Sequence, residues 1–199
     1  LDPANPFAVA SALPYQLTPW RDVRTEHYLP AVEAGIAERL AELRAVADDP
    51  EPATVPNVID AWERSGQLLG RALGAFFTVQ PADTTDELDA IDAAISPKLA
   101  GLSDAIYQDR ALYRRVLTLN ERVEAGEVDA DAAARYWLET RLRDFVRAGV
   151  GLPDAEQARL RELNARLAKL TSAFGRTALA GSNAAAFARH AALAGGFGE

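Results

Sequence analysis

The residues that decide the fold are EHYLPAVEAGI at 26–36 and, after a proline-rich break, PNVIDAWERSGQLLGRALGAFF at 56–77. Leu29, Val32, Ile36, Leu40 and Leu43 recur at helical spacing and predict a first helix over 28–47. Pro30 suits its first turn, where the missing N–H costs nothing. Asp48, Asp49 and the run Pro50, Pro52, Pro56 stop it. Thr54 is the expected N-cap of a second helix, with a stripe of Ile59, Trp62, Gly66, Leu69, Leu73 and Phe76 and an end at Gln80–Ala82.

Outward from this pair the same period continues. A third helix opens at Thr84 or Thr85, with Asp86 and Glu87 placed where the helix dipole favours negative charge. Its stripe is Leu88, Ile91, Ile95, Leu99, Leu102 and Ile106, and Pro97 inside it predicts a kink rather than two helices. Asp109 caps a fourth helix carrying Leu112, Val116 and Leu119, and a polar turn at 125–128 leads to a fifth with Leu138, Leu142 and Phe145. Gly149 and Gly151 close it. The sixth begins at Pro153, carries Asp154 and Glu156 in its first turn, repeats Leu160, Leu163, Leu167, Leu170 and Phe174, and should end near Gly181. No segment alternates with period two, and there is no clear internal repeat. The fold class is therefore all-α, a bundle of about six mostly antiparallel helices. The expected divisions are an irregular segment at 1–24, a helical domain at 25–182 and, at 183–199, a loose tail or the start of a further region.

Bulk properties narrow the function classes. The chain has 199 residues, a net charge of −8, no cysteine and no methionine. That length is enough for one core without staples. Only Lys98 and Lys169 are lysines, so the cations are nearly all arginines scattered among carboxylates, with no basic stripe for a phosphate backbone. Neither a signal-peptide pattern nor an apolar run of about 18 residues occurs, so no membrane partner is expected and a cytoplasmic location is the default. The missing methionine at position 1 gives the expectation of a chain cropped or processed at its start.

Candidate chemistry is sparse. A zinc hydrolase places two histidines one helical turn apart with a glutamate beside the first, so that both imidazoles meet one metal. Here the histidines are His27 and His190, far apart and outside any HExxH. Asp129-Ala130-Asp131 begins like a calcium loop, but Ala133 and Ala134 stand where a further oxygen ligand and the turn glycine belong, so it reads as helix-start acidity. Asp83, Asp86, Glu87, Asp89 and Asp92 likewise fall in the first turns of one helix rather than forming an acid–base pair. Gly195, Gly196 and Gly198 lack the preceding strand and following Lys-Ser/Thr of a phosphate loop. Trp62, Gly66, Leu69, Gly70, Leu73, Gly74 and Phe76 read as a tight helix–helix packing seam, with a substrate groove as the alternative. For Phe76, Phe77, Tyr136 and Trp137 core burial is the expectation.

The order of EHYLPA, DDPEPATVPNVIDAWERSGQLL (48–69), DELDAIDAAISPKLA and RDFVRAG followed by LRELNARLAKLTSAFG resembles the N-terminal region of the M3 family of zinc oligopeptidases, nearest its bacterial peptidyl-dipeptidase branch. The resemblance covers about nine tenths of the chain. Val58 after Asn57, where the family usually has threonine, and the tail LAGGFGE are its departures. The resemblance implies a zinc metallopeptidase parent of two helical lobes around a channel, acting on short peptides, of which this part walls the channel and restricts access. Its HExxH site has no counterpart in these residues, so no catalytic or metal-binding residue is carried over, and substrate-binding residues stay unknown. The implied partners are the catalytic lobe of the same polypeptide and short peptides, with homodimerisation of the chain by itself as a further expectation. The alternative is a free-standing helical interaction or scaffold module without catalytic activity.

Overall fold

A computed structural model describes the backbone of residues 1–195 and the side chains of 1–178, 181 and 182. Among the described residues every regular element is helical. The α-helices are α1 (Tyr28–Asp48), α2 (Ala61–Arg64), α3 (Gln67–Val79), α4 (Asp86–Tyr107), α5 (Arg110–Glu124), α6 (Ala132–Arg147) and α7 (Asp154–Gly195). None of them is long and apolar enough to cross a membrane.

Their starts follow from side chains that replace missing backbone partners. Thr85 Oγ1 accepts from Leu88 N at 3.2 Å, and Asp109 Oδ1 accepts from Ala111 N and Leu112 N at 2.7 and 3.0 Å. Asp131 Oδ1 accepts from Ala134 N at 2.8 Å, so the acidic run at 129–131 serves as helix-start acidity. Thr54 and Asn57 form a reciprocal pair: Asn57 N donates to Thr54 Oγ1 at 3.4 Å and Thr54 N donates to Asn57 Oδ1 at 2.7 Å. That pair opens a wide turn over Val55–Asp60, of π-helical form, that feeds α2.

Two helix boundaries differ from those the pattern predicts. The second expected helix is broken at Ser65–Gly66, where Ser65 is extended (φ −73°, ψ 150°) and Gly66 is left-handed (φ 76°). Glycine takes that conformation without a Cβ penalty; a Cβ there would also come within 2.7 Å of Arg39 Cδ. Glu42 Oε2 fixes the break by accepting from Gly66 N at 2.6 Å. The other difference is α7, which continues past Gly181 to Gly195 because the alanine-rich stretch after Asn183 has the highest helix propensity. Gly196 and Gly198 lie outside the described residues. Through Pro97, α4 runs unbroken as one helix.

The core sits where α1 meets α3, α4 and α5, with α6 packed on α5 and α7 on α4. It has two aromatic clusters. In one, Tyr28 stands 5.6 Å from Phe7 and 5.4 Å from Phe76, ring centroid to centroid. Burial pushes the Tyr28 phenol above its usual pKa. In the other, Phe145 is wholly buried with Trp62, Tyr107 and Tyr113 at 6.1, 5.4 and 5.5 Å. Edge-to-face angles of 61–79° are those aromatic quadrupoles favour. Two of the four aromatics expected inside are not: Phe77 is 47% and Tyr136 66% exposed, because each falls on the solvent side of a helix whose opposite face fills the core. The irregular segment before α1 is fastened to the bundle. Phe7 is buried, Arg71 Nη2 donates to Phe7 O at 3.1 Å, and Asn5 Nδ2 donates to His27 O at 3.0 Å.

Arginines fasten the connections. Arg115 Nη1 donates to Glu51 O and Arg122 Nη1 to Ala53 O, both at 2.6 Å, which holds the proline-rich 49–54 loop against α5. Arg110 Nη2 donates to Leu152 O at 2.7 Å and ties the turn before α7 to the start of α5. Gly149 closes α6 at φ 82°, a left-handed position that suits glycine.

Candidate functional site

The acidic residues of α4 act as structural acceptors. Asp86, Glu87 and Asp89 occupy its first turn, where the positive end of the helix dipole meets them, and Asp89 Oδ1 accepts from Gln80 Nε2 at 3.3 Å. Asp92 Oδ2 accepts from Ser172 Oγ at 2.6 Å. His27 is held by backbone, its Nδ1 accepting from Arg24 N at 3.0 Å. The side chain of His190 lies outside those described. Among the described residues no three of His, Asp or Glu gather closely enough to hold a metal ion. The described donors do not fit the zinc that the resemblance implies.

The close approach between helices lies elsewhere than on the glycines of α3. At Gly70 and Gly74 a Cβ would meet nothing within 4 Å, so neither belongs to a tight seam. The tight contact is at Gly35 on α1, where a Cβ would sit 2.7 Å from Leu69 Cα and 2.7 Å from Leu69 N. Trp62, Leu69 and Phe76 are buried and Leu73 is half-buried, while Gly66 serves the break between α2 and α3. Gly70 and Gly74 face solvent because α1 meets the other side of α3. Gly35 stands in the very stretch that identifies α1; a small residue flanked by Val32 and Ile36 was its only signal.

The feature without a structural explanation inside the chain is α7. The face it turns to α4 is polar. Asn164 Nδ2 donates to Asp104 Oδ1 at 2.6 Å, Arg161 Nη1 to Gln108 Oε1 at 2.8 Å, and Ser172 Oγ to Asp92 at 2.6 Å. Gln157, itself buried, donates to Gly149 O and Val150 O at 3.1 Å each. Leu163, Leu167, Leu170 and Phe174 lie on the other side, 46% to 75% exposed. At about 100° per residue the apolar set is centred roughly 130° from the polar one. Of the stripe expected for this helix, Leu160 alone is half-buried. An apolar row of four large side chains open to water is the kind of surface that marks an interface. Val9, Tyr15, Leu17 and Trp20 in the segment before α1 are also outward.

No protein-family model matches the chain. Over 176 residues it is 37% identical to a dipeptidyl carboxypeptidase of Escherichia coli K12, which covers 88% of this chain and 26% of that protein. A dipeptidyl carboxypeptidase of Salmonella typhimurium is 35% identical over 184 residues, 92% of this chain and 27% of that one. An oligopeptidase A of Haemophilus influenzae is 29% identical over 176 residues, 88% and 25% of the two chains. The chain thus spans about a quarter of the length of the relatives it matches. Over about nine tenths of its own length the chain is thus similar to one part of these M3 family peptidases.

Proposed function

We propose that the chain is the helical, non-catalytic part of a zinc-dependent, cytoplasmic peptidase, and that it forms a wall of the channel that admits short peptides. The hydrolytic site then belongs to polypeptide beyond these residues. One observation carries the reading: an outward row of leucines and Phe174 on α7 in a chain that spans about a quarter of its relatives. Burying what remains exposed of four such side chains against a further lobe is worth at most about 1.5–3 kcal/mol each, and it would hold the two lobes together.

The chain alone is expected to bind no stoichiometric zinc and to leave a quenched short peptide uncut; chelator-sensitive turnover by these residues would sink the proposal. A chimera in which the chain replaces the matching residues of the Escherichia coli dipeptidyl carboxypeptidase tests the face itself. Leu167→Asp with Phe174→Asp should abolish assembly and activity of that chimera while leaving the separate chain folded. The second reading is a free-standing interaction module, and the same face favours it. A chimera as active with the two aspartates as without them would support that reading instead.

A further inference from the structure

The apolar row on α7 has the spacing of a seam for one further helix. Its members stand four, three and four residues apart, from Leu163 through Leu167 and Leu170 to Phe174. At about 100° per residue they fall within roughly 60° of arc. A helix that faces a core carries an apolar stripe about 100° wide or more, whereas this narrower set is the seam of a two-helix coiled coil. The contact with α4 does not use it, because Asn164 and Ser172 meet α4 from the opposite, polar side.

The two flanks of this seam differ in charge. Arg159 and Arg166, one heptad apart, lie about 50–70° from its axis on one side. Asn164 and Thr171 border the other side and carry no charge. Arg159 has an exposed ion pair with Glu162 Oε2 at 2.8 Å, and Arg166 pairs with no carboxylate among the described residues. In a chain of net charge −8 this is a cationic border beside an apolar seam. Two copies set antiparallel along the seam would bring Arg166 against its own counterpart, which opposes self-pairing. The open area is also small. At roughly 60–120 Å² of apolar surface per buried side chain, four partly open side chains fall short of the ~800 Å² that each partner brings to a stable free-standing complex. A helix in the same polypeptide needs less area because its effective concentration is high, and the relatives extend well beyond the quarter of their length that this chain spans.

We propose that one amphipathic helix, contributed by the same polypeptide outside these residues, covers the α7 row, lying along it at the shallow angle of about 20° typical of coiled coils and setting carboxylates against Arg159 and Arg166. This rests on the reading of α7 as the face that meets a further lobe, and it adds what that lobe presents there: a seam of matching spacing with an acidic border.

Because the chain has no cysteine, Thr177→Cys places a single thiol at the end of the row and allows a weak helix to be captured by disulfide exchange. The probes are synthetic peptides of about three heptads with leucine at both seam positions, a cysteine at one end or the other, and either glutamate or lysine along both borders. Each is equilibrated separately with the full chain against glutathione, and capture is read by mass spectrometry. The glutamate peptide should be captured about fivefold more than the lysine peptide, the worth of two exposed charge pairs. Arg159→Gln with Arg166→Gln, or about 1 M salt, should bring that ratio close to one, and Leu167→Asp with Phe174→Asp should reduce both peptides to the level of a scrambled sequence. Equal capture of both peptides through an intact row would overturn the acidic helix while leaving α7 an interface. Capture indifferent to the two aspartates would overturn the interface reading as well, and capture of neither peptide above the scrambled control would overturn a helix as the occupant. Sedimentation of the unmodified chain should show a monomer; a dimer abolished by the two aspartates would put a second copy on the face and contradict the proposal. Should the aspartate variant fail to fold, the arginine variant and the salt dependence decide.

Discussion

The Phe145 cluster and the outer face of α7 are made from similar material, large apolar side chains at helical spacing, yet one is sealed and the other faces water. Around Phe145 the neighbours come from α2, α4 and α5, and each ring meets another edge to face. Along α7 the main helical neighbour among the described residues, α4, is met through Asp92, Asp104 and Gln108, and Leu163, Leu167, Leu170 and Phe174 point away. Periodicity in sequence thus locates an apolar face, but only the placement of the neighbouring helix decides whether that face becomes core. In α7 the contact to α4 is fixed by hydrogen bonds whose partners must be correctly placed, which gives register, whereas the apolar row supplies adhesion to something further.

This contrast can be broken at several points. The largest effect is expected inside: Phe145→Ala should cost about 3–5 kcal/mol in denaturant unfolding, from lost transfer energy and a cavity among three aromatics. Next comes Gly35→Ala, whose new methyl would meet the backbone of Leu69. A cost of about 1–3 kcal/mol is expected there, because α1 and α3 must move apart; a neutral result would show that the approach is loose. Asp104→Ala leaves the amide of Asn164 without its buried acceptor and should cost about 1–3 kcal/mol. Hydrogen exchange should show that loss as faster exchange in α7, with α1 and α5 little changed. At the small end, Gly74→Ala on the open side of α3 should stabilise by up to about 1 kcal/mol through helix propensity alone. The opposite signs at Gly35 and Gly74 would separate a packing glycine from a solvent one.

Much of the helical order was legible from the sequence because caps and stripes act locally. Thr54, Thr85 and Asp109 start helical turns where their short polar side chains can reach free N–H groups, and Leu112, Val116 and Leu119 are buried as their spacing implies. What was not legible depends on approach between elements distant in sequence. The left-handed turn at Gly66 interrupts an apolar period that continues across it, so pattern alone joins α2 to α3. Gly70 and Gly74 have the spacing of a seam, but α1 passes on the other side. Phe7 lies in an irregular segment with no period to reveal that it reaches Tyr28. Among the candidate site residues, the acidic groups at 83–92 and 129–131 were readable as helix-start acids. The open face of α7 was not, since its leucines have the spacing of a core stripe and only the place of α4 leaves them outside.

The most direct test of the contrast is the unfolding free energy of the separate chain carrying Leu163→Gln, Leu167→Gln, Leu170→Gln and Phe174→Gln together. Glutamine is a good helix former, and exposed substitutions usually stay within about 0.5 kcal/mol each. The four changes should therefore cost no more than about 2 kcal/mol in all, less than Phe145→Ala alone. A loss of several kcal/mol per site would mean that these side chains are core to the chain itself, and that α7 has no free face to offer.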